Sequence, residues 1–355
     1  MVKLRIASID SVREGDLLGK AIFSDDGKVL LSSGVKLTGA LISRLKSLGI
    51  QALYIEDHIS EGIVIDDVIS VKTRIEAKKI VKNIFEKKAM DLDTQYGKVS
   101  SIVNDIVDDV LNNRNSLINL IDIKTKDDYT FSHSVNVAVI ATMMGVHLGY
   151  PIDKLRKLCL GGLLHDIGKV YVPKEIINKP GKLTPAEFEE IKKHPQYGYA
   201  MVKDCIEYCP ITKAIILTHH EKSNGSGYPM GLTYDKIHEC SRIVSIADIY
   251  DAMTSDRVYR RRINPSEVVE YIVAMTYEWF DLRTVESFRR CIAPYPLGTY
   301  VRLSTGDIAI VSGINNIMPT RPQVRIVEPC RGQMYRNVTI DLMRELSINI
   351  VDTEA

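Results

Sequence analysis

Gly162-Leu163-Leu164-His165-Asp166-Ile167-Gly168-Lys169 sets an imidazole and a carboxylate side by side, with an ammonium group four residues after the histidine. At helical spacing Lys169 falls on about the same face as His165. Around this stretch, six of the eight histidines lie between positions 133 and 220: His133, His147, His165, His194, His219 and His220. His219-His220 is a second adjacent pair, and Asp248 and Asp251 follow one helical turn apart. Neutral imidazole together with carboxylate suits a divalent ion such as iron, manganese or zinc. A carboxylate next to a histidine can bridge two ions while the histidine binds one. Two neighbouring ions can activate a water and stabilise an in-line displacement at phosphorus.

These residues sit in a stretch that reads as helical. Residues 134–148 form an apolar run holding Val135, Val137, Ala138, Ile140 and Met143. Thr184-Pro185-Ala186-Glu187 is a helix start, with a cap, a proline in the first turn and a capping box, and Asn264-Pro265-Ser266-Glu267 repeats that logic. Upstream, residues 66–121 also read as helix. Ile75, Ile80 and Ile84 share one face, Val99, Ile102, Ile106 and Val110 another, and a break is expected at Asp91-Leu92-Asp93-Thr94.

The two ends are different. Near the start, Ala21-Ile22-Phe23 and Val29-Leu30-Leu31 flank Asp25-Asp26-Gly27, a hairpin signal. Thr38 can cap a helix carrying Leu41, Ile42, Leu45 and Leu48, and Ala52-Leu53-Tyr54-Ile55 reads as a strand. After Pro294, strand patterns recur at residues 300–303, 308–311, 323–326 and 337–340, with no histidine among them. The expected fold is therefore mainly α. A small mixed α/β regulatory module spans residues 1–60, a helical linker or first helices 61–121, an all-helical catalytic domain 122–293, and a small β-rich appendage 294–355.

Composition bounds the function. In 355 residues, 45% are hydrophobic and 26% charged, an ordinary globular balance. A net charge of +1 gives no basic field for a nucleic-acid polymer. Residues 1–10 mix charges into their apolar positions, so no secretory signal is expected, and no run of about 18 uncharged apolar residues suggests a membrane span. Six scattered cysteines fit a reduced, cytoplasmic protein. The long helices before residue 121 favour a homodimer, and the flanking modules favour signalling-protein partners. His58, His147 and His238 are read as ordinary histidines.

Taken together, Gly162–Lys169, then His219-His220-Glu221 with Gly225, Gly227-Tyr228-Pro229 and Gly231-Leu232, then Arg242 through Arg257 with Asp248 and Asp251, resemble the three signatures of the HD-GYP family. Lys193-His194-Pro195 with Gly198 fits between them. The resemblance covers roughly residues 120–290. It implies an all-helical HD-type bundle that hydrolyses cyclic di-GMP to the linear dinucleotide pGpG, in some members on to GMP, by way of a metal-activated hydroxide, in bacterial second-messenger signalling. Some members prefer cyclic GMP-AMP. The implied metal ligands are His165, Asp166, His194, His219, His220 and Asp248, with His133 as a further one and Asp166 as the bridge. Lys169 and Asp166 are the implied catalytic residues, and Lys169, Tyr228, Arg257, Arg260 and Asp251 the expected substrate contacts. The implied cofactors are two divalent ions, iron or manganese first, with zinc, nickel or cobalt as alternatives.

Three positions depart from the family's pattern. Tyr129 stands where some members carry a glutamate linked to a third metal, so a binuclear centre is expected. Lys222 replaces the usual arginine, and Asn224 a common aspartate. A non-hydrolysing cyclic dinucleotide sensor is the rival reading, which the filled ligand set disfavours.

Overall fold

The computed structural model describes residues 4–24, 27–86, 92–118, 129–179, 181–255, 263–330 and 337–354. The chain divides into two compact units, one formed by residues 1–67, 117–128 and 292–355, the other by 68–116 and 129–291.

The first unit is β-rich. Strands β1 (Leu4–Ser8) and β2 (Leu17–Leu18) pair on either side of β5 (Ala52–Glu56). Strands β3 (Ile22–Phe23) and β4 (Val29–Leu31) form the hairpin read from the sequence, although Asp25 and Asp26 of its turn lie outside the described residues. Helix α1 (Gly39–Ser47) begins at Thr38, whose hydroxyl accepts the Leu41 N–H at 3.3 Å. Only Leu45 of its apolar residues is fully buried. The later part of the unit is one antiparallel sheet. Strands β6 (Tyr300–Leu303), β7 (Ile308–Gly313), β8 (Gln323–Glu328), β9 (Thr339–Asp341) and β10 (Ile350–Glu354) run in the order β10-β6-β7-β8-β9. The sequence patterns point to four of these. β10 lacks that signal because Val351 is 60% exposed and Asp352, Thr353 and Glu354 follow it, so no apolar alternation marks the strand. Ile310 of β7 packs with Leu4, Ile6, Tyr54, Ile63 and Ile65, giving the two ends of the chain a shared core.

The second unit is helical: α2 (Val71–Glu86), α3 (Leu92–Asn112), α4 (Tyr129–His147), α5 (Ile152–Leu164), a 3-10 turn over Ile167–Tyr171, α6 (Lys174–Ile177), α7 (Pro185–Ile191), α8 (His194–Val202), α9 (Pro210–Thr218), α10 (Glu239–Thr254), α11 (Pro265–Ala274) and α12 (Leu282–Cys291). The fold is mainly α, as the sequence implies. Helix α4 lies at the centre and packs against α5, α10 and α12. Residues 132–145 of α4 are buried all round, as expected of a helix that is apolar on every face. On α3, Val99, Ile102, Ile106 and Val110 are all buried. On α2 the stripe is instead Thr73, Ala77, Val81 and Ile84, with Ile75 and Ile80 half-buried at its flank.

The capping box at Thr184 forms as read, with Glu187 N–H on the Thr184 hydroxyl and Thr184 N–H on the Glu187 carboxylate. At the start of α11 the same motif behaves differently. Asn264 donates its amide to Glu267 at 3.0 Å, so the two side chains satisfy each other and cap no backbone N–H.

One glycine decides how closely the site can assemble. A Cβ on Gly168, in the 3-10 turn, would lie 1.9 Å from the His194 carbonyl oxygen and 2.4 Å from Gly198 N. Hydrogen alone at position 168 lets this turn touch the backbone of α8.

Candidate metal centre

Five chain segments deliver the site. His165 ends α5 and Asp166 follows it; His194 opens α8; His219 ends α9 and His220 follows; Asp248 and Asp251 share a face of α10, as His133 and Asn136 do on α4. Except for half-buried His220, all of these are buried.

The helix ends fix how the imidazoles face. At the end of a helix the last carbonyls lack intrahelical partners. His165 donates Nδ1–H to the Gly162 carbonyl at 2.7 Å, and His219 donates to Ile216 at 3.1 Å. His194 uses the Ile191 carbonyl of the preceding helix at 2.7 Å. Each ring then turns an Nε2 lone pair inward. His194 Nε2 and His219 Nε2 face each other at 3.3 Å. Asp166 Oδ1 lies 3.2 Å from His194 Nε2 yet accepts no hydrogen bond, because that ring's proton is committed to Ile191. His165 Nε2, buried, also has no hydrogen-bond partner. Lone pairs facing lone pairs in a buried site call for a cation between them.

Electrostatics agree at His219, His220 and the two carboxylates, whereas at His133 burial lowers the imidazole but Asp248 and Asp251 outweigh it and raise it. Burial, reinforced by neighbouring His220, pulls His219 well below the ordinary histidine range, and burial brings His220 down to about 3. Burial pushes the Asp166 carboxyl upward, but Lys169 and His165 outweigh it and hold the group well below its ordinary value. Asp248 is held low in the same way, against burial, by His133 and His220. Neutral imidazoles and ionised carboxylates are the donor set a divalent metal needs.

The donor atoms fall into three overlapping groups, each within 4.8 Å: Asp166, His194, His219 and His220; His133, His165 and Asp166; and His165, His219 and Asp248. Asp166, His165 and His219 each belong to two of them, and Asp166 is the shared carboxylate. Lys169 is ion-paired to Asp166 Oδ2 and remains partly exposed. Tyr228 stacks on His220 with ring centroids 4.6 Å apart, and burial raises its phenol, which stays protonated.

Asp251, expected among the substrate contacts, has a different setting. It is 1% exposed, and its Oδ2 accepts from His133 Nδ1 at 2.7 Å while Oδ1 accepts from Asn136 at 2.8 Å. Spacing puts Asp248 and Asp251 on one helix face but does not say that Asp251 lies behind His133. Arg257 and Arg260 lie outside the described residues. The side chain of Tyr129, the first residue of α4, is likewise outside the description. His238 caps α10, its Nδ1 accepting from Cys240 N–H at 3.1 Å.

Two further contributors carry weaker sequence signals. Buried Glu221, adjacent to the histidine pair, accepts the N–H groups of Met230 and Leu232 at 2.7 and 2.8 Å and so pins the loop bearing Tyr228. Gly225 (φ +80°) turns that loop, and a Cβ on Gly227 would lie 2.4 Å from Lys222 N. Asn136 was detectable only as the residue one helical turn after His133.

Among known proteins, the HD domain family matches residues 106–284, and a KOW domain associated with HD domain matches residues 300–354. A cyclic di-GMP phosphodiesterase of Pseudomonas aeruginosa is 35% identical over 261 residues, covering 73% of this chain and 62% of that protein. A 3'3'-cGAMP-specific phosphodiesterase of Vibrio cholerae is 36% identical over 166 residues, covering 46% of this chain and 37% of that protein. The chain thus spans less than two thirds of the length of either relative. A solved structure of an HDG"Y"P protein from Bdellovibrio bacteriovorus aligns with a TM-score of 0.48 at 19% identity, over 80% of this chain and 98% of that one. Among the described residues, no helix is long and apolar enough to cross a membrane.

Proposed function

The chain belongs to the HD domain family, and from that premise we propose that it is a metal-dependent phosphodiesterase that opens a cyclic dinucleotide, cyclic di-GMP first, to the linear dinucleotide. The observation that carries this reading is buried Asp166, whose Oδ1 accepts no hydrogen bond and sits among inward-turned imidazoles. His165, Asp166, His194, His219, His220, Asp248 and His133 would hold two ions, iron or manganese by donor type, with Asp166 common to both. Bound divalent ions supply Lewis-acid polarisation of a phosphoryl oxygen and an acidified water.

The net reaction adds water to one ring phosphorus. A P–O bond forms, the bond to a ribose 3' oxygen breaks, and that oxygen takes a proton. Lys169, held on Asp166 and partly exposed, is the cation available to a non-bridging phosphate oxygen or to that proton transfer. The Tyr228 phenol, kept protonated by burial, offers a donor beside His220. Arg257 and Arg260 are assigned to the phosphates by the sequence pattern alone. With Tyr129 in place of a third-metal glutamate, pGpG is the expected end product. Similarity to the Vibrio cholerae protein supports cyclic GMP-AMP as the second substrate to try.

Metal analysis of anaerobically purified protein, paired with chromatography of its products from cyclic di-GMP, tests the proposal. Accumulating pGpG is the expected result. Conversion to GMP would overturn the Tyr129 argument. Tight binding of cyclic di-GMP and cyclic GMP-AMP without cleavage of either, across iron and manganese, would replace the enzyme with a sensor.

A further inference from the structure

The metal centre has a support that begins outside the residues matched by the HD domain family. Arg74, on α2, donates from its guanidinium to Asn136 Oδ1 at 2.8 Å. Asn136, 1% exposed on α4, donates its Nδ2 to Asp251 Oδ1 at 2.8 Å, and Asp251 Oδ2 accepts from His133 Nδ1 at 2.7 Å. Each link constrains the next. Arginine is a donor only, so it selects the amide orientation that presents oxygen to α2 and NH2 to Asp251. The carboxylate so held fixes the proton of His133 on Nδ1. His133 Nε2 then points into the site, 3.1 Å from Asp248 Oδ1 and 3.8 Å from Asp166 Oδ2.

The position of Arg74 is itself set by α3. Asp109 accepts the Ser70 N–H at 2.9 Å and the Thr73 hydroxyl at 2.7 Å, and Asn113 donates to the Val68 carbonyl at 3.0 Å. The start of α2 is thereby tied down one turn before Arg74.

We propose that Arg74 is a positioning residue of the metal centre, acting through Asn136 and Asp251 to hold His133 with Nε2 offered to an ion. The inference rests on reading the His/Asp cluster as a metal centre, though not on which substrate is cleaved. Partners of this kind behind a ligating histidine are worth about 10–100-fold in metal affinity.

The test is calorimetric titration of Mn2+ into the metal-stripped full chain, read without substrate. Arg74→Met keeps the aliphatic stem and removes the donor. It should weaken Mn2+ binding about 10-fold or more, and Arg74→Lys should recover part of the loss. Lys79→Ala, at an exposed position of the same helix, should bind as the unaltered protein does. Asn136→Ala should match or exceed the loss in Arg74→Met, and the double variant should be no worse than Asn136→Ala, because both break one chain. Wild-type Mn2+ affinity in folded Arg74→Met, or in Asn136→Ala should the former not fold, overturns the inference. Losses that add in full in the double variant overturn it too. Unaltered protein that binds Mn2+ but cleaves no cyclic dinucleotide overturns the proposed function alone.

Discussion

In the β-rich unit, Leu18, Leu37, Leu53 and Ile55 lie at the centre of a hydrocarbon core, whereas the centre of the helical unit holds His133, His165, Asp166, His194, His219, Asp248 and Asp251, all buried. The first core gains from removing apolar surface from water, an effect spread over many contacts. The second gathers charges and lone pairs that low polarity makes costly unless partnered. The helical unit tolerates this because the segments that carry the cluster are themselves buried, residues 132–145 of α4 and 158–168 at the end of α5 throughout. Damage to the two cores should therefore show itself differently. Lesions in the hydrocarbon core should reduce the amount of folded protein, and lesions in the polar core should reduce what a folded molecule can bind and do.

The largest effect should follow Asp166→Ala, which deletes a carboxylate shared by two donor groups. Metal content should fall to background. Cleavage should drop by about three powers of ten or more, the scale of several kcal/mol of lost transition-state stabilisation. Circular dichroism should stay native. Full activity in this variant would break the contrast outright. Next comes Ile55→Ala, at a fully buried position of β5. It should cost about 2–5 kcal/mol in urea unfolding. Metal content per folded molecule should hold, and a parallel loss of metal would blur the distinction between the cores.

Gly168→Ala tests the region where packing and site meet. Its methyl group would collide with the His194 carbonyl, forcing backbone shifts worth about 1–3 kcal/mol. Stability and Mn2+ affinity should fall together here, unlike in either previous variant.

The smallest effect concerns the surface. Glu187, half-buried in the first turn of α7, is brought down from 4.5 to about 2, first by its hydrogen bond with Lys179 and then by the Thr184 N–H. A folded value below the unfolded one contributes stability that is present above the unfolded value and is lost as pH falls through the folded one. The melting-temperature gap between the unaltered protein and Glu187→Gln should therefore narrow steadily as pH drops from about 5. A gap independent of pH would show that the ion pair contributes nothing.

The helical core was legible where residue type and local spacing sufficed. The apolar run on α4 is continuous, the buried face of α3 is periodic, and the Thr184 capping box is local. Of the site, the residues that end up in the cluster carry their chemistry in their type, so His165, Asp166, His194 and the His219-His220 pair stand out in the sequence. What supports them does not. Nothing near Arg74 signals that α2 meets Asn136, and nothing near Asp251 says which side of His133 it occupies, because both facts arise from helix packing. The same holds for the carbonyls of Gly162, Ile191 and Ile216, which set the imidazole orientations through backbone geometry alone. Strand β10 was missed for a different reason, since an exposed edge strand needs no apolar alternation.

The most direct test of the central claim is to strip the protein with chelator, return Mn2+ stepwise, and follow cyclic di-GMP by chromatography. The stripped protein should show no cleavage, and linear dinucleotide should rise with bound metal up to about two ions per chain. Cleavage that persists in fully stripped protein, or fully loaded protein that leaves every cyclic dinucleotide intact, would contradict that claim.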